Sequence, residues 1–154
     1  MKFVSTRGQA PAVGMDAALV AGLAPDGGLY VPEAFARPDA PTARASLAGT
    51  AHAVLAPYFT ESALGDALGD ICESAYAFPA PLRAMRGDHD FLLELFHGPT
   101  AAFKDYAAPF LAESLSRLRD PDAHPTTIVV ATSGDTGAAV ASAFHRRPGF
   151  EVVI

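Results

Sequence analysis

The clearest pattern in the chain is an apolar stripe at helical spacing. Leu64, Leu68, Ile71, Cys72 and Ala75 fall on one side of a helix read over Glu61 to Tyr76, with Thr60 as its candidate cap. A preceding helix is expected from Leu47 to Phe59, and a shorter one from Asp16 to Leu23. Lys2 to Ser5 and Leu29 to Val31 read as short strands, the second ended by Pro32 after the tight turn Pro25-Asp26-Gly27-Gly28. Arg37 to Ala45, with Pro38 and Pro41, reads as a loop, and Pro79-Ala80-Pro81 breaks the helical pattern.

Beyond those prolines the period changes. Phe91 to Phe96 reads as a strand. Asp105 to Arg119 reads as a helix with Phe110, Leu111, Leu115 and Leu118 on one face and Arg117 and Arg119 at its negative end. Thr126 to Ala131 is β-branched and apolar and predicts a buried strand. The Ala-rich run Ala138 to Phe144 predicts a helix, and Phe150 to Ile154 a last strand. Alternating strands and helices imply an α/β layer with a mostly parallel sheet. The expected division is a mostly helical region over 1–80 and the start of an α/β domain over 81–154.

Composition narrows the function classes. Half the residues are hydrophobic and 18% are charged, which suits a folded domain. A net charge of −6 argues against nucleic acid or anionic membrane as partners. No run has membrane-spanning length and none resembles a signal peptide, so a cytoplasmic protein is expected. The single cysteine, Cys72, lies in the helical stripe and reads as core. The histidines show no ligand spacing with carboxylates or Cys72, so no metal is expected.

Lys104 is one of only two lysines, against nine arginines; the other is Lys2. Unlike Arg, a lysine can lose its proton and attack a carbonyl carbon. Its apolar, Phe-flanked setting favours that loss, because desolvation disfavours the ammonium. A second candidate is Thr132-Ser133-Gly134-Asp135-Thr136-Gly137, between a strand and a helix. Free backbone N–H groups and the helix dipole make such a turn an anion site. Its glycine spacing matches neither a Walker A loop nor a dinucleotide fingerprint.

Phe96-His97-Gly98-Pro99-Thr100-Ala101-Ala102-Phe103-Lys104-Asp105 resembles the cofactor-lysine motif of threonine synthases, with Ala101 where that family often has Leu. Ser133-Gly134-Asp135-Thr136-Gly137 resembles the Ser-Gly-Asp-Thr-Gly loop of the same family. Ser5-Thr6-Arg7-Gly8 and Gly22 to Pro32 are similar to its bacterial-type N-terminus. The resemblance implies a pyridoxal 5′-phosphate (PLP) enzyme of fold type II, tryptophan synthase β-like, with an incomplete parallel sheet. It implies a carbon–oxygen lyase that converts O-phospho-L-homoserine and water into L-threonine and phosphate. Lys104 would hold PLP and act as the catalytic base. Ser133, Gly134, Asp135, Thr136 and Gly137 would line the cofactor, and Thr100, Ser133 and Thr136 the substrate. His97 is a further site-lining candidate, and Asp105 is read first as a helix N-terminal residue. The ending Glu151-Val152-Val153-Ile154 reads as mid-strand, so the expectation is the N-terminal portion of a longer enzyme, inactive by itself. The alternatives are another fold type II lyase or dehydratase, and a non-catalytic fragment.

Overall fold

Two small cores, joined by one shared helix, organise the chain. The computed structural model describes residues 1–37, 46–87, 89–132 and 134–154; most of the loop expected over Arg37 to Ala45 lies outside them. Strand β1 (Phe3–Ser5) pairs antiparallel with β2 (Tyr30–Pro32), and helix α1 (Met15–Ala21) lies between them in sequence. The turn joining α1 to β2 is held by Asp26, which accepts from the Ser5 hydroxyl and from the Gly28 and Gln9 N–H groups at 2.7–2.9 Å.

Helix α2 (Leu47–Leu55) is capped by the Ser46 hydroxyl, which accepts from Gly49 N–H at 3.0 Å. It tightens into a 3-10 turn, Ala56–Tyr58, at Pro57. Helix α3 (Leu68–Ala75) buries Leu68, Ile71, Cys72 and Ala75, the stripe legible in the sequence. Leu68, Ile71 and Cys72 join Phe59 and Leu64 in the first core, against Met15 and Leu19 of α1 and Leu55 of α2.

The second helix begins later than expected, at Leu68 rather than Glu61, and Thr60 does not cap it. Residues 60–67 instead form successive tight turns. Asp16 explains the difference: its carboxylate accepts from the Ser62 hydroxyl and from Ala63 N–H, the latter at 2.9 Å. Side-chain bonds of this kind offer the backbone an alternative to the helix.

Strands β3 (Leu82–Ala84) and β4 (Phe91–Leu93) form an antiparallel pair. The strand expected at Phe91 therefore belongs to a hairpin whose first arm the sequence reading missed, not to the parallel sheet. Residues 103–106 make a 3-10 turn that leads into α4 (Ala108–Leu118), with Pro109 tolerated in its first turn. The buried face of α4 is centred on Ala108, Ala112, Glu113 and Ser114, while Leu111 of the expected stripe is exposed. Phe110 and Leu118 pack on the first core and Leu115 on the second, so α4 serves both.

The second core joins α4 to α5 (Asp135–Phe144) and to the parallel pair β5 (Thr126–Val129) and β6 (Phe150–Val153). Ala108 and Ala112 meet Ala139 and Ala143, small residues that let two helices approach closely. Ile128 of β5 packs against this cluster, but Val129 is 74% exposed. The buried strand expected there is thus covered on one face only among the described residues. Across α3, α4 and α5, Glu113 accepts from the Ser74 hydroxyl at 2.9 Å and Arg147 at 2.7 Å, and also pairs with Arg117. Among the described residues no helix is long and apolar enough to cross a membrane.

Candidate functional site

Gly98 to Tyr106 is a continuous turn structure, and Lys104 sits in its second half. Ala101 N–H donates to the Gly98 carbonyl at 3.1 Å, and Asp105 N–H to the Ala102 carbonyl at 3.0 Å. In the tight 3-10 turn successive side chains point about 120° apart. Asp105 is directed inward and is fully buried, whereas Lys104 is only partly covered. The Lys104 ammonium lies over the Phe103 ring, with Nζ 4.5 Å from the ring centroid, within cation–π range.

Both oxygens of Asp105 are taken by one residue. Oδ2 accepts from Thr100 N–H at 2.9 Å and Oδ1 from the Thr100 hydroxyl at 2.7 Å. The helix N-terminal role expected of Asp105 is replaced by this grip on the preceding turn, since its carboxylate faces backward along the chain. His97 is turned toward Glu94, with Nε2 2.7 Å from Oε2, and its ring stacks on Phe96. That bond holds the Glu94 carboxyl below its usual range.

The second candidate segment opens α5. The turn carrying Lys104 packs against α5, the helix that this segment opens. Thr132 shapes the segment by accepting from Gly134 and Gly137 N–H at 3.2 and 3.3 Å. A Cβ on Gly137 would come within 2.2 Å of the Thr132 methyl carbon, whereas the space beside Gly134 is open. Gly134, Asp135 and Thr136 are exposed. The N–H groups of Asp135 and Thr136, in the first turn, have no acceptor within the helix and form the positive end of its dipole. Ser133 lies outside the described residues.

Sequence reading missed Asp105 as the clamp of the turn and Glu113 as a hub. For Asp105 the available signal was its five-residue separation from Thr100, directly after a Gly-Pro pair. Glu113 offered only its four-residue spacing from Arg117, because its other partners, Ser74 and Arg147, are remote in sequence.

The family described as "Threonine synthase N terminus" matches residues 2–76. The threonine synthase of Pseudomonas aeruginosa is 39% identical over all of this chain and over 34% of its own length. The chain belongs to the threonine synthase family. The Escherichia coli threonine synthase is 44% identical over 66% of the chain and 23% of the relative. The structure of PLP-bound threonine synthase from Brucella melitensis superposes with a TM-score of 0.87 at 40% identity, covering 99% of this chain and 34% of that one. The yeast enzyme gives a TM-score of 0.84 at 32% identity, over 98% and 34%. The chain therefore spans about a third of the length of the threonine synthases it matches over its whole extent. Its α/β architecture is that of fold type II, as the resemblance implied.

Proposed function

We propose that this chain carries the lysine-bearing part of a PLP-dependent threonine synthase, which converts O-phospho-L-homoserine and water into L-threonine and inorganic phosphate. The observation that supports the reading is the packing of the Lys104 turn against α5, whose first turn is the Gly134–Gly137 segment. The residues fit the cofactor chemically. An aldehyde requires a reachable primary amine, and the Lys104 amine is partly exposed beside an aromatic ring. An amino-acid carboxylate requires donors, and the exposed start of α5 offers N–H groups at the positive end of a helix dipole.

Bound at Lys104, PLP would supply the electron sink that makes the substrate's carbon acids accessible. The chain's own residues do the rest. Lys104 Nζ anchors the cofactor, and its free amine moves the proton at the substrate α-carbon, a task that requires the neutral form. The Phe103 ring limits where that amine can swing. Asp135 and Thr136 orient the substrate carboxylate through their N–H groups, Gly134 leaves room for its approach, and Gly137 allows the backbone to lie close to Thr132. By the family resemblance Ser133 and Thr100 are assigned to substrate binding, and the compartment is read as cytoplasmic.

Borohydride trapping tests the reading. The chain is mixed with PLP, reduced and mapped by mass spectrometry. A stoichiometric adduct on Lys104 with Lys2 unmodified is expected, and Lys104→Ala should abolish it. Equal labelling of the two lysines, or none, would overturn it.

A further inference from the structure

Among the described residues Asp105 is the one acidic side chain with no exposed surface at all, and it adjoins Lys104. A buried carboxylate is strongly disfavoured unless donors satisfy it, and here Thr100 supplies both bonds. The turn so gripped is otherwise unfavourable. Ala101 adopts a φ of 56°, in the left-handed region that side chains avoid. Gly98 lies so close that a Cβ would come within 2.4 Å of Asp105 Oδ2.

We propose that the Asp105–Thr100 pair is a positioning device for the Lys104 amine, a proposal that rests on the functional reading of Lys104 given above. The pair holds the Gly98–Ala101 turn closed. Because Asp105 follows Lys104 in a 3-10 turn, fixing the Asp105 side chain inward fixes the direction in which Lys104 leaves the backbone. The pair also defines Thr100. Its hydroxyl proton is committed to Asp105 Oδ1, so a ligand meets only an oxygen lone pair there, and Thr100 can accept a hydrogen bond but not donate one. Asp105 and Thr100 act through Lys104 and need not touch the reacting atoms.

The test compares Thr100→Ser, Thr100→Val and Asp105→Asn in the 154-residue chain. The preference of PLP for Lys104 over Lys2 is measured by borohydride trapping, and amide hydrogen exchange is followed over residues 98–106 and over α3. Thr100→Val removes the charge-assisted bond and should lower the Lys104 preference by about tenfold. Asp105→Asn should do the same, while Thr100→Ser, which keeps both bonds, stays within about twofold of the wild type. Exchange should rise over residues 98–106 in Thr100→Val and Asp105→Asn and stay unchanged in α3, which separates local loosening from unfolding. An unchanged preference in Thr100→Val, or an equal loss in Thr100→Ser, overturns the proposal. If the wild-type chain shows no preference for Lys104, the functional reading fails and the positioning proposal fails with it. Exchange still reports separately whether the pair closes the turn.

Discussion

Neutralising Glu113 should cost the fold more than any other single charge removal among the described residues. Its side chain is 10% exposed and joins three helices through Ser74 of α3, Arg117 of α4 and Arg147 beyond α5. Burial pushes its carboxyl upward, but bonds from Arg117, Arg147 and Ser74 outweigh burial and hold it at about 2, against an ordinary 4.5. At about 1.4 kcal/mol for each tenfold change in proton affinity, that displacement corresponds to about 3 kcal/mol favouring the folded state. Removing one partner of a buried ion pair costs about 3–5 kcal/mol in other proteins, the same range. Because the folded carboxylate is the more acidic one, the contribution is complete above pH 4.5 and is lost as pH falls toward 2. The assay is urea unfolding of the wild type and Glu113→Gln between pH 7 and pH 2.5. The two should differ by about 3 kcal/mol at pH 7 and converge in the acid limb. Parallel stability curves down to the lowest pH would refute the argument, since the deficit would then come from packing rather than charge.

Two further substitutions probe the turn before Lys104. Ala101→Gly should stabilise the chain by about 1 kcal/mol, because glycine adopts the φ of 56° without steric cost and this outweighs its greater freedom when unfolded; a lower thermal midpoint would contradict it. Gly98→Ala should destabilise by about 1–3 kcal/mol, since the added methyl carbon meets the buried Asp105 carboxylate; unfolding curves identical to the wild type would contradict it.

What the sequence made legible was set by how far a signal had to reach. The α3 stripe was readable because Leu68, Ile71, Cys72 and Ala75 are spaced within two turns and all are buried, the first three in one core. Lys104 stood out by its rarity and its apolar neighbours, and it sits partly covered in a 3-10 turn beside the Phe103 ring. The start of α3 was not, because it is decided by Asp16, more than forty residues earlier, bonding to Ser62 and Ala63. β5 misled for a different reason. An apolar run signals burial on both faces, yet only the Ile128 side is covered among the described residues, and Val129 stands exposed.

Glu113 and Asp105 show why polar residues defeat a one-dimensional reading in opposite ways. A glutamate within a helix is ordinarily solvated, and nothing near Glu113 in the sequence says that Arg147 will return across α5 to meet it. Asp105 has its partner only five residues away, but its location beside a chemically distinctive lysine draws attention to the lysine. Its burial becomes visible only when the 3-10 turn directs adjacent side chains to different sides. The two carboxylates also divide the work. Glu113 ties α3, α4 and the segment after α5 together, while Asp105 shapes the turn that packs against α4 and α5. Loss of Glu113 should therefore lower global stability without altering which lysine PLP selects in the chain that remains folded, whereas loss of the Thr100 hydroxyl should alter that selection with α3 still protected.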